Sequence, residues 1–200
     1  MFSGVFGGGS LPELVLAFVG WVSEGWVLLA FIRSATLLGV DGRPVTVEVH
    51  IGNGLPGFTV VGLPDAAVRE ARDRVRAALL SSGLVWPQWR VKVNLAPSGV
   101  RKAGPGLDLS IAIGLLVASG QLDSGAVEQF GFAAELALDG SLRPLPGIVS
   151  LVGALGAEQV VVAPTVARQA ELVTGPVVRS AGSLAEVVRA LSGRIPWPAN

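Results

Sequence analysis

Two glycine-rich segments and one arginine-rich segment carry residue types at spacings that chemistry would need. Gly52-Asn53-Gly54-Leu55-Pro56-Gly57 matches G-x-G-x-x-G, the dinucleotide fingerprint, and follows a strand-like run. That fingerprint requires a helix to start at its glycines, so that the helix N-terminus faces a pyrophosphate. Here Pro56 interrupts the loop and the strand-like Phe58 to Gly62 follows at once, so the segment reads as a connection between strands. The loop Arg101-Lys102-Ala103-Gly104-Pro105-Gly106 has the composition of a phosphate cradle, but G-x-x-x-x-G-K-[ST] occurs nowhere in the chain. No ATP site is visible, and no cofactor is expected in these residues. Lys102 is expected as a solvated loop cation, with a phosphate or partner contact as its functional alternative.

Arg69, Arg72, Arg74 and Arg76 fall within eight residues of a helical pattern, and a basic helical face is the usual footprint of nucleic-acid binding. An ordinary solvated face explains them as well, because Glu70 can pair with Arg74 and Arg69 with Asp73 at i,i+4. Arg90, Lys92, Arg101 and Lys102 would enlarge the patch if folding brought them together. The candidate contact set for DNA or a partner is Arg69, Arg72, Arg76 and Lys102. His50 is the only histidine and there is no cysteine, which excludes disulfides, a thiol nucleophile and thiolate metal sites; no metal is expected. Ser98 and Ser110 lack a histidine partner, so only a Ser/Lys arrangement remains open to them.

The elements that must position these residues follow from periodicity. Ser34 to Gly39 and Val45 to Ile51 are β-branched-rich runs flanking Asp41-Gly42, a dipeptide suited to a type I′ hairpin turn. Val45, Val47, Val49 and Ile51 alternate with Thr46, Glu48 and His50, placing His50 on a polar face. After a strand at Phe58 to Gly62, Pro64-Asp65 opens a helix with Val68, Ala71, Val75, Ala78 and Leu79 on its apolar side, stopped by Ser82-Gly83. Trp89 to Leu95 is another strand. Asp108 is placed to cap a helix that is apolar on nearly every side from Leu109 to Ser119.

A second hairpin is expected from Phe132 to Leu138 and Leu142 to Leu145 around Asp139-Gly140. Helices at Ile148 to Leu155 and Thr165 to Val173 then alternate with strands at Gln159 to Ala163 and Val177 to Arg179. A last helix carries a Ser183/Glu186 capping box and stops at Gly193. This order indicates an α/β or α+β domain, with two hairpins plus βα units. Pro196 and Pro198 make residues 194–200 read as a linker.

With 15 basic and 15 acidic residues the formal net charge is +0, so any nucleic-acid binding must come from a local patch. Mean hydropathy is +0.60, with the excess concentrated in an apolar leader over residues 1–30. Leu14 to Ile32 is nearly continuously apolar, yet Glu24 sits within it and no Lys or Arg precedes it. Three readings stand: a start near Val27 with the earlier residues an upstream artefact, a membrane anchor, or an apolar arm. A membrane is not the expected partner, and the expected location is the cytoplasm.

The stretch VEVHIGNGLPGFTVVGLPDAAVREARDRVRAALLSSG, followed by RVKVNLAP, RKAGPGLDLSIAIGLL and ELALDGSLRPLPG, resembles the N-terminal domain of Mg-chelatase-related proteins of the ComM/YifB family. The resemblance covers roughly Phe31 to Gly193, which makes 31–193 the expected domain and 194–200 its linker to an AAA+ module. It implies a Lon-protease-like fold, shared with the second domain of a small-subunit ribosomal protein. In the family this domain precedes a hexamer-forming AAA+ ATPase that remodels or branch-migrates DNA in natural transformation. The implied partners are that module, hexamer neighbours and DNA; ATP and Mg²⁺ belong to the module. One departure is Ala134 before Glu135, where the family commonly has Gly.

Lon-like proteases place a nucleophilic Ser in a G-P-S-A-G loop and a Lys on a later helix. The matching positions here are Gly106 and Val149, neither of which can attack a carbonyl or accept a proton. The expected role is therefore a non-catalytic accessory domain. An unrecognised hydrolase on a Lon-like scaffold and a membrane-anchored interaction domain are the alternatives.

Overall fold

The computed structural model describes residues 28–199 and is a mixed α/β fold. Most of the apolar leader, and with it most of the Leu14 to Ile32 run, lies outside the described residues. The last five residues of the Leu14 to Ile32 run belong to β1 (Leu28–Leu38), where Ala30 and Ile32 are core residues. The domain's first strand thus starts at Leu28, ahead of the Phe31 boundary expected from the resemblance.

β2 (Asp41–Gly52) pairs antiparallel with β1 along its whole length, from Leu28↔Ile51 to Leu38↔Asp41. The hairpin is where the sequence places it, but its turn is Gly39-Val40. Asp41 and Gly42, the expected turn, are already paired in the ladder, so the reversal comes two residues earlier. Gly39 has φ +65° and Val40 has no positive φ, so a glycine at the first central position makes the reversal, the type II′ requirement.

β3 (Gly57–Val61), β4 (Arg90–Ala96), β5 (Phe130–Ala133), β8 (Gln159–Val162) and β9 (Val177–Ser180) complete a seven-stranded sheet in the order β3-β4-β2-β1-β5-β8-β9. Only β2 runs against the other six. β6 (Glu135–Leu136) and β7 (Leu142–Arg143) form the separate second hairpin, whose bend is an Asx turn with Asp139 Oδ1 accepting from Ser141 N at 2.9 Å.

α1 (Ala66–Ser81) buries the five residues its periodicity selects, Val68, Ala71, Val75, Ala78 and Leu79. It packs on α2 (Asp108–Ala118), which is buried on every side. Gly114 of α2 lies against Ile32 and Val49, so α2 covers the Ile32/Val47/Val49 face of the sheet. α3 (Ile148–Ala154) lies on the other face: its Ser150 backbone approaches Gly42, and Leu155 with Ala157 sits against Gly131.

α4 is the single turn Ala167–Ala170, shorter than the Thr165 to Val173 expectation because a 3-10 turn at Pro164–Val166 takes its start. α5 (Leu184–Leu191) has Ser183 accepting from Glu186 N at 3.3 Å, while Glu186 Oε2 accepts from Gly182 N at 2.6 Å rather than closing on Ser183. Beyond it, Trp197 folds back onto Phe130 with ring centroids 5.5 Å apart. Among the described residues no helix is long and apolar enough to cross a membrane.

Candidate functional site

The carboxyl ends of the parallel strands, where ligands bind in open α/β sheets, hold a polar cluster between two loops. The loop after β3 carries Gly62 and Leu63, both at positive φ (+96° and +57°). A left-handed leucine is strained by about 1 kcal/mol. The loop after β4 clamps it: Lys102 N donates to Leu63 O at 3.2 Å, and Asp65 N donates to Lys102 O at 3.0 Å. Asp65 joins both loops to α1, with Oδ1 accepting from Val68 N and Oδ2 from Gly104 N, each at 2.9 Å. Thr36 Oγ1 at the end of β1 accepts from Ala103 N at 3.3 Å.

Lys102, expected as a solvated or partner-contacting cation, is 0% exposed. Its ammonium donates to Pro97 O inside the loop, and burial pushes its pKa down. The burial arises because the loop turns this side chain under itself as its backbone pairs with the β3 loop. Asp108 is likewise not the helix cap that its position suggests, since α2 has no side-chain cap. Its carboxylate is 1% exposed and takes a bidentate contact from Arg74, Nε to Oδ2 at 2.7 Å and Nη2 to Oδ1 at 3.0 Å. Burial raises the Asp108 pKa to about 6 against the opposing pull of Arg74, while the hydrogen bond to Asp108 raises that of Arg74. At neutral pH the pair is ionic.

Arg74 also donates to Ala67 O at 2.8 Å and forms the expected i,i+4 pair with Glu70 at 3.8 Å. The Arg69–Asp73 pair is not among the ion pairs of the described residues. Arg69, Arg72 and Arg76 are exposed on the outer side of α1. Folding does not merge them with Arg90 and Lys92, which lie in β4 in register with Gly52 and His50 on the sheet face opposite α2. Arg101 is exposed in the loop.

The positions matching a Lon-type nucleophile and base offer no dyad. A Cβ at Gly106 would meet Leu145 Cδ1 at 3.1 Å, and Val149 is 42% exposed on α3. Ser110 Oγ donates to Phe132 O at 3.2 Å and Ser98 is exposed, so neither serine is hydrogen-bonded to Lys102. His50 is half-buried on the polar side of β2, as its alternation requires. Among the described residues no His/Asp/Glu cluster could hold a metal ion.

The G-x-G-x-x-G segment links β2 to β3 with no helix at its glycines. Beside it lies an apolar groove of about 490 Å³ lined by Ile51, Val85, Trp86, Trp89, Ala118 and Gln121, which sequence reasoning missed. Of the amides that line it, Gln121 is occupied, since it accepts from Val85 N and donates to Val85 O, both at 2.9 Å. The Asp65 latch and the Arg74–Asp108 pair were missed as well. Their only sequence signal is charge beside apolar periodicity, and their partners lie 39 and 34 residues away.

Residues 47–166 match the family described as subunit ChlI of Mg-chelatase. Competence protein ComM of Haemophilus influenzae is 44% identical over 172 residues, 85% of this chain and 34% of that protein. The uncharacterized protein YifB of Salmonella typhimurium is 49% identical over 122 residues, 61% of this chain and 24% of its own length. An uncharacterized protein of Mycobacterium tuberculosis is 38% identical over 163 residues, 80% of this chain and 32% of its own length. The chain therefore spans about a third or less of these relatives. With matches of this extent, the chain belongs to the Mg-chelatase-related ComM/YifB family.

Proposed function

We propose that these residues form a non-catalytic accessory and assembly domain of a Mg-chelatase-like AAA+ ATPase that processes DNA. The observation that carries this reading is the state of the loop end of the sheet. Every ionisable group buried there is directed at the protein itself, and the Lon-type nucleophile position is a glycine packed beneath Leu145. A catalytic carboxylate or lysine needs access to a substrate, and Asp108 and Lys102 have none. Fold alone licenses no hydrolase.

The 200 residues contain no G-x-x-x-x-G-K-[ST] loop, and in this reading ATP and Mg²⁺ are bound by the ATPase module of the family. The domain would act through contacts with that module, with ring neighbours and with DNA, in the cytoplasm. The name of the Haemophilus relative places that protein in competence, which supports DNA as the material handled.

A hybrid tests this directly. This chain replaces the matching third of the Haemophilus competence protein, and assembly state and transformation frequency are measured. Recovery to within a few-fold of the intact relative is expected. Performance no better than the relative lacking the domain would refute the accessory role.

A further inference from the structure

Part of one sheet face is left uncovered by the described residues. α2 fills the Ile32/Val49 side, and α3 with its flanking residues covers the opposite side around Ala35, Leu37, Gly42 and Gly131. The remaining surface of β3, β4, β2 and β1 carries Thr59, Lys92, His50 and Leu29 in one cross-strand row, and Val61, Asn94, Glu48 and Phe31 in the next. Arg90 and Arg33 lie on the same face at either side of these rows.

The charge on this face is one-sided and uncommitted where it matters. Arg90 and Lys92 are exposed, and neither is in an ion pair among the described residues. The one acid in the rows, Glu48, is engaged by Asn94 Nδ2 at 2.9 Å. Arg33 anchors to the Glu128 carbonyl through one nitrogen at the rim. Phe31, half-buried, lies in the Glu48/Asn94 row, between the row of Lys92 and that of Arg33.

We infer that this open face binds single-stranded nucleic acid, with Arg90 and Lys92 on phosphates and Phe31 under a base. The inference rests on the DNA-processing reading and assigns the contact to the sheet instead of to α1. Basic side chains interleaved with an aromatic ring on a flat sheet suit a single strand, because phosphates and base faces are presented together. The rows span about 14 Å at a strand spacing near 4.8 Å. That width accommodates a few nucleotides, the order of the smallest single-strand sites. α1 is a poorer platform, since Arg69, Arg72 and Arg76 are interspersed with Glu70 and Asp73 and no aromatic lies among them.

The test uses the whole 200-residue chain and a fluorescein-labelled oligothymidine at low salt. Arg90→Glu/Lys92→Glu should weaken binding at least tenfold and lower the slope of log K against log salt by roughly 1.4, about 0.7 for each lost phosphate contact. Phe31→Ala should weaken binding about 5-fold or more with the slope unchanged, the signature of lost stacking. Arg72→Glu/Arg76→Glu should change affinity less than 2-fold. Thermal unfolding of each variant separates lost binding from lost fold, and Arg90→Ser/Lys92→Ser gives a milder version of the same loss.

Binding lost in the helix variant and kept in the sheet variant would overturn this assignment while leaving a DNA contact on α1 intact. Absence of binding by the unaltered chain overturns it too, and the hybrid assay still judges the accessory role independently. Equal affinity for an oligoglutamate of the same charge would mark an acidic-protein surface and likewise overturn it.

Discussion

At the loop end of the sheet, Asp65, Arg74, Lys102 and Asp108 all face other atoms of the domain, whereas on the open face Arg90 and Lys92 face solvent. The two regions are built from similar residues on neighbouring strands. Their difference lies in closure: the loops after β3 and β4 fold over one region, and nothing from the described residues folds over the other. A buried charge must be compensated locally, because leaving it unpaired costs several kcal/mol. An exposed cation carries no such requirement and is free to meet a partner. In this domain, then, buried and internally bonded charge marks architecture, and the exposed cations mark the candidate surface.

The contrast can be broken first at Asp108. Asp108→Ala removes both Arg74 contacts and should cost about 3 kcal/mol in a urea or thermal unfolding experiment, as expected for breaking a buried pair. A change below about 1 kcal/mol would mean that the pair does not hold α1 to α2. Next in size is Gly62→Ala, where the new methyl would lie 2.3 Å from Leu95 O at φ +96°; a loss of roughly 2 kcal/mol or more is expected.

The pH dependence sharpens the same comparison. Asp108 has its pKa raised in the fold to about 6. Its favourable contribution is therefore full below the unfolded value near 4 and is lost as pH rises through about 6. Asp108→Asn removes this titration, so wild type should lose stability relative to Asp108→Asn between those limits and run parallel to it above pH 7. Parallel curves throughout would contradict the raised pKa.

Lys102→Met keeps the length of the side chain without its charge. Because Pro97 O is the acceptor for the Lys102 ammonium among the described residues, stability should move by no more than about 1 kcal/mol, and its direction shows whether burial or the Pro97 contact dominates. The smallest effect belongs to the exposed arginines: Arg72→Ser and Arg76→Ser should each stay within about 0.5 kcal/mol.

Much of the scaffold was legible because it depends on local periodicity. The five-residue stripe of α1, the alternation of β2 and the all-round burial of α2 appear at the expected residues. The first hairpin was legible but its turn was not, because extension of both strands consumed Asp41-Gly42 as paired residues. The site was harder to read for a physical reason. Lys102 and Asp108 lie in or beside a polar loop that resembles solvated chain, and only long-range docking against β3 and α1 buries them. Trp197 shows the same limit, since Pro196 and Pro198 forbid regular structure yet leave the ring free to pack on Phe130.

The central claim is that this domain carries no chemistry of its own. The measurement that tests it most directly is turnover by the purified 200-residue chain, offered ATP with Mg²⁺ and, separately, a fluorogenic peptide and an ester. The account predicts rates equal to the buffer blank for all three. Turnover that follows the protein through purification and disappears in Lys102→Met would contradict it and restore the hydrolase reading.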